Sequence, residues 1–89
     1  MTRVRIPPTL RSEVGGEREV VGEGQTVREV LEDVAGRYPA LEGQLFEDGE
    51  IAPFVNVYLG GEDVRTLGGL DTRVNGSSVI LLPAMAGGC

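Results

Sequence analysis

The residues whose types and order offer chemistry stand at the end of the chain, Ala86-Gly87-Gly88-Cys89. Glycines let an extended chain enter a slot where a Cβ would clash, and they leave a terminal carboxylate open to attack from all sides. At about 3.3 Å per residue, the six residues 84–89 could reach ~20 Å, enough to thread a partner's active site. Terminal residues ordinarily fray, so a Gly-Gly end acquires meaning from the body that presents it.

Other constellations offer less. The chain has no His and one Cys, which removes imidazole acid–base chemistry, Cys/His zinc clusters and internal disulfides together. Glu47-Asp48-Gly49-Glu50 is rich in carboxylates but lacks the spacing of a calcium loop, and reads as a solvated acidic loop; no metal site is expected. Gly15-Gly16, Gly60-Gly61 and Gly68-Gly69 precede no helix in a phosphate-loop pattern and read as turns.

The 89 residues include 14 acidic ones against 8 basic, all Arg, for a net charge of −6. Such a balance repels polyanions, so nucleic acid is an unexpected partner, and the acidic surface would steer the chain toward a basic one. A domain of this size has a thin core and little room for a deep pocket, which argues against a self-contained enzyme. The N-terminus lacks the apolar run of a secretory signal, and the longest apolar stretch, 79–85, contains Pro83 and falls far short of the ~20 residues of a membrane span. A soluble, cytoplasmic protein is expected, with no membrane partner.

The elements that must position the tail can be read along the chain. Arg3-Val4-Arg5-Ile6 alternates and stops at Pro7-Pro8, a first strand. After a connection ending at Gly15-Gly16, Glu17–Val21 reads as a second strand, closed by the turn-prone Gly22-Glu23-Gly24. Thr26-Val27-Arg28-Glu29 is a capping box, in which the Thr26 hydroxyl accepts from the Glu29 amide and the Glu29 carboxylate reaches back to the Thr26 amide. Val27, Val30, Leu31 and Val34 then form one apolar stripe of a helix bounded by Gly36 and Pro39. Ala40–Ile51 reads as a helical turn plus a loop. Phe54–Leu59 is a strand, Glu62–Arg65 a short edge strand, Leu67–Val74 a connection, Asn75-Gly76 a turn and Ser78–Leu82 the last strand.

One amphipathic helix following a hairpin buries its stripe on one face of a sheet, an α+β arrangement. The natural topology is a ubiquitin-like β-grasp, a mixed sheet with one main helix on one face. The expected organisation is a β-grasp domain over 1–83 and a flexible Gly-Gly-Cys tail over 84–89.

Nearly the whole chain resembles the ubiquitin-like sulfur-carrier proteins, the group of the molybdopterin synthase small subunit (MoaD) and the thiamine-pathway carrier (ThiS), and most closely the carriers of cysteine biosynthesis. The densest stretches are Arg37-Tyr38-Pro39, Phe54-Val55-Asn56-Val57-Tyr58 with Glu62-Asp63-Val64-Arg65, Gly68-Gly69-Leu70-Asp71-Thr72, and Leu82-Pro83-Ala84-Met85-Ala86-Gly87-Gly88. The resemblance implies a protein cosubstrate rather than an enzyme, binding no cofactor itself. A ubiquitin-activating-type adenylyltransferase/sulfurtransferase would use ATP to adenylate the Gly88 carboxylate, and a sulfur donor would convert it to a thiocarboxylate. A sulfur-accepting synthase, cysteine synthase-like or other, would take the sulfur. A carboxylate is a poor electrophile until it carries a good leaving group, so this chemistry needs no acid or base from the chain. The alternatives are a modifier conjugated through Gly88 and the small subunit of a molybdopterin synthase.

Cys89 departs from the pattern, because Gly88 ends such carriers in their acting form. It would be removed by a JAMM-type zinc peptidase, or be the cysteine product still attached to its carrier, or be a cloning or labelling residue. Nothing beside it favours a thiolate nucleophile. For partner binding, strand alternation puts Phe54, Tyr58, Ile80 and Leu82 on the sheet face away from the helix, beside Met85 and the tail. The competing expectation is that the chain's own Leu41–Phe46 segment covers that face.

Overall fold

The computed structural model describes residues 1–83; the tail expected over 84–89 lies outside the described residues. Strand β1, Thr2–Arg5, buries Thr2 and Val4 and exposes Arg3 and Arg5. It starts one residue earlier than its alternation suggests, and Ile6 follows it with an N–H donated to the Arg18 carbonyl at 2.8 Å. The connection after Pro7 is not plain loop: Pro8–Val14 winds into 3-10 turns that bury Leu10 and Val14. Proline sets the helical φ of the first turn, and Gly15 ends the turns in the left-handed region at φ 70°.

Strand β2, Glu19–Gly22, pairs antiparallel with β1, Arg5 opposite Glu19 and Thr2 opposite Gly22. The glycine expected to turn the chain therefore belongs to the strand. Helix α1, Val27–Arg37, starts where the capping box places it, with the Thr26 hydroxyl accepting from the Glu29 N–H at 3.2 Å. The return bond differs from expectation. Glu29 Oε1 accepts from the N–H of Gln25, not Thr26, at 2.8 Å. Thr26 is bridged to Arg73, and bonds from Val27 N–H to the Thr72 carbonyl and Val74 N–H to the Gln25 carbonyl hold the approaching chain so that Gln25 presents its N–H to the first turn. Val27, Val30, Leu31 and Val34 are fully buried, as their spacing dictates. The helix continues through Gly36 and ends at Tyr38, before Pro39.

A 3-10 turn, Pro39–Leu41, leads into α2, Glu42–Leu45. The acidic stretch expected as loop is instead a hairpin, β3 (Phe46–Glu47) with β4 (Glu50–Ile51), turned by Asp48 and Gly49 at φ 54° and 79°. Positive φ at both central residues is what a tight two-residue hairpin needs, and Asp-Gly supplies it. Strand β5, Val55–Leu59, turns through Gly60-Gly61 into β6, Glu62–Asp63. β6 is shorter than the expected Glu62–Arg65 because the Asp63 side chain accepts from the Arg65 N–H at 2.8 Å and starts a 3-10 turn, Val64–Thr66. A further 3-10 turn, Gly69–Asp71, precedes the last strand, β7, Val79–Pro83.

The sheet order is β2-β1-β7-β5-β6. The first and last strands lie side by side and parallel, with every other pair antiparallel. A parallel pair needs a long crossover, and α1 lies within it, its apolar stripe buried against the sheet. This is the β-grasp. Leu41 and Leu45 complete the core together with Val4, Leu31, Val57, Val79 and Leu81.

Candidate functional site

The element that leads toward Gly88 is β7. It is the central strand, bonded on one side to β1 and on the other, along its whole length from Val79 to Pro83, to β5. Two ladders thus hold the start of β7, at Val79 and Ile80, and the β5 ladder alone carries it on to Pro83. Within β7, Val79 and Leu81 point into the core, while Ile80 is half-buried and Leu82 is 43% exposed on the other face.

Cross-strand register places the neighbours of these two residues. Ile80 lies between Arg5 on β1 and Tyr58 on β5, and Leu82 lies opposite Asn56. A depression of about 210 Å³ beside β7 is lined by Arg5, Pro7, Pro8, Arg11, Ile80 and Leu82. Arg11 is held there by its Nε, which donates to the Ile6 carbonyl at 3.1 Å. Across β5, Arg65 donates to Asn56 Oδ1 at 2.9 Å and to the carbonyls of Val55 and Ala52 at 3.1 and 3.3 Å.

Of the residues expected to form a partner surface, Tyr58, Ile80 and Leu82 are brought together on the outer sheet face. Phe54 is not in the strand. It sits in the turn closed by the Val55 N–H donating to the Ala52 carbonyl at 3.1 Å. There it is 47% exposed and lines a separate notch with Leu10, Gln44 and Pro83. Alternation cannot be extended past the residue where pairing begins, which is why the sequence assigned Phe54 to the sheet. Both depressions adjoin the end of β7, so Phe54 and Leu82 flank the tail root from two sides. Met85, Ala86, Gly87, Gly88 and Cys89 lie outside the described residues.

The segment Leu41–Phe46 does not cover the outer face. Leu41 and Leu45 are buried in the core, and Phe46 lines a groove against Arg28 and Glu32 of α1, on the opposite side of the sheet. Sequence reasoning missed Arg11 and Arg65 at the site. Arg11 lies in turns with no periodic signature, and Arg65 reaches Asn56 only through the fold. Among the described residues no three His, Cys, Asp or Glu side chains converge as metal ligands would, and no helix is long and apolar enough to cross a membrane.

Among the described residues, β7 ends beside a sheet face on which Leu82 is exposed and Ile80 half-buried. Comparison with known proteins gives the family. The chain is 40% identical to the sulfur carrier protein CysO of Mycobacterium tuberculosis over 89 residues, covering 96% of each. It is 39% identical to small archaeal modifier protein 3 of Haloferax volcanii over 89 residues, again 96% of each. Its fold superposes with a TM-score of 0.90 on a chain of the Amycolatopsis orientalis BexX/CysO complex, at 39% identity and covering 97% of this chain and 98% of that one. The ThiS family model matches residues 4–88, from the first strand through the second glycine of the Gly-Gly pair, and the chain accordingly belongs to the ThiS family.

Proposed function

We propose that the chain is a sulfur carrier, a protein cosubstrate whose Gly88 carbonyl carries the sulfur. With Gly88 terminal, a ubiquitin-activating-type adenylyltransferase joins its carboxylate to AMP and releases pyrophosphate from ATP. Sulfur at the sulfide level then displaces AMP and leaves a thiocarboxylate, a nucleophile for a sulfur-accepting synthase. The chain contributes no acid or base. It contributes presentation: β7 fixes Pro83, and Ile80, Leu82 and Tyr58 offer a docking face beside it.

The observation that carries this reading is the ThiS family match running through Gly88 on a fold whose central strand ends at Pro83. The likeness to CysO carriers favours cysteine biosynthesis as the destination. Likeness to a chain of the BexX/CysO complex supports a sulfur-accepting synthase as one docking partner. Cys89 would then be either a residue that a JAMM-type zinc peptidase removes or the cysteine just made. The test is the intact mass after incubation with such a peptidase, then with ATP, adenylyltransferase and sulfide. Loss of one Cys residue followed by exchange of one oxygen for sulfur is expected; an unchanged mass overturns the reading.

A second reading, a modifier conjugated through Gly88 to lysines of other proteins, is favoured by the likeness to the Haloferax volcanii modifier. Isopeptide-linked conjugates in cell extracts would establish it, and their absence would leave the carrier alone.

A further inference from the structure

The outer sheet face carries charge of the opposite sign to the chain. The sequence sums to −6, but half of its 14 carboxylates lie on the helix side: Glu29, Glu32 and Asp33 on α1, Glu42 on α2, and Glu47, Asp48 and Glu50 of the acidic hairpin. In the depression beside Ile80 and Leu82 the charged groups are guanidinium groups. Arg5 and Arg11 wall the depression that these two residues floor, no carboxylate lines it, and Arg65 stands beyond Asn56.

None of these guanidinium groups forms an ion pair among the described residues, although Glu19 stands opposite Arg5 in the β1–β2 register. Arg11 and Arg65 bond backbone carbonyls and an amide oxygen. The carboxylates of the sheet on this face stand on its edge strands, and Glu13 lines the separate notch beside Phe54 and Pro83. Glu19 lies 3.9 Å from Arg3, and Asp63 accepts from the Arg65 backbone N–H.

We propose that the ubiquitin-activating-type adenylyltransferase receiving this carrier sets carboxylates against Arg5, Arg11 and Arg65, around an apolar seat for Ile80 and Leu82. The inference rests on the sulfur-carrier reading and adds the chemistry of the partner. A basic partner, as the net charge alone suggests, would attract the α1 side and turn the tail root away from itself. An acidic-rimmed apolar seat does the reverse, because the charge separation across the molecule turns the end of β7 toward it. Guanidinium forks match carboxylates in geometry as well as charge, and rim charges of this kind act chiefly on association rate and its salt dependence.

The test is the association rate of the chain with the ubiquitin-activating-type adenylyltransferase of the same genome, across a salt series. Arg5→Glu combined with Arg11→Glu should slow association about tenfold or more at low salt, the gap closing as added salt screens the charges. Arg5→Lys should keep most of the wild-type rate, and Glu32→Lys on α1 should stay within about twofold of it. Arg11 also holds the Ile6 carbonyl, so if the double variant fails to fold, Arg5→Glu alone carries the test. Wild-type rates in the reversed variants, or faster association, would overturn the inference while the carrier reading stands, provided the wild type still acquires sulfur. If the wild type neither binds nor acquires sulfur, the carrier reading falls and takes the inference with it.

Discussion

Gly22 lies directly against Val30: a Cβ built on Gly22 would sit 2.8 Å from Val30 Cγ1 and 2.8 Å from the Val30 carbonyl oxygen. The last residue of β2 thus sets how closely α1 approaches the sheet. One of the atoms met is backbone, so the contact cannot be relieved by a rotamer change. Gly22→Ala should force the helix outward and destabilise the domain by about 1–3 kcal/mol, the usual cost of overpacking. Urea unfolding measures it, and an unchanged midpoint would show that α1 shifts without cost.

The elements strongest in the sequence were those with a long periodic signal. Val27, Val30, Leu31 and Val34 are buried as their spacing demands, and the alternating Val55, Val57 and Leu59 face the core. What the sequence could not show was structure made by pairs of residues. Leu10 and Val14 reach the core from 3-10 turns too short to have a period. The Asp48-Gly49 hairpin joins strands of two residues each, below the length at which alternation can be seen. At the site, Ile80, Leu82 and Tyr58 were legible from alternation, and Phe54 was misplaced because pairing starts one residue later. Arg11 and Arg65 became visible only once the chain was folded, since neither is near β7 in sequence.

Arg65 ties the turn after β6 to the start of β5 through Asn56, Val55 and Ala52. Arg65→Ala removes these bonds and takes the guanidinium donor from the Val55 carbonyl and the Asn56 amide oxygen, the Ala52 carbonyl keeping the Val55 N–H, at a cost of about 1–3 kcal/mol. Amide exchange should quicken around Val55, where the chain enters β5. Arg65→Lys should recover little of this, because an ammonium group cannot span the three acceptors as the planar fork does. Full stability in the Lys variant would mean that charge alone suffices.

The free edge of β2 is occupied by side chains of α1. Arg37 donates to the Val21 carbonyl, and Asp33 Oδ2 accepts from the Glu23 N–H at 3.0 Å and from Arg37 at 3.1 Å. Unpaired strand edges template association with other strands. Arg37→Ala should therefore change stability by less than about 1 kcal/mol, since an exposed ion pair is weak, yet raise self-association at high concentration. Sedimentation over a concentration series distinguishes the two effects, and a monomeric Arg37→Ala protein would show that the edge is already too short to pair.

Substitution at Leu82 tests the proposed docking face apart from folding. Its neighbour Leu81 is buried at 1% exposure, so Leu81→Ala should cost the fold about 2–5 kcal/mol. Leu82 points outward opposite Asn56 and is 43% exposed. Leu82→Asp should leave the unfolding midpoint nearly unchanged. On the sulfur-carrier reading it should nonetheless lower thiocarboxylate formation about tenfold or more, because a charge is pressed into an apolar seat and stands against carboxylates that Arg5 and Arg11 would otherwise meet. Asn56→Asp, one strand further on, puts the same charge beside Arg65 and should be milder, since that guanidinium group can pair with it in place. Comparing the two variants by intact mass against time tests whether the defect follows β7 itself. Equal and small defects would place docking elsewhere on the molecule and leave Leu82 as an exposed residue without a role in transfer.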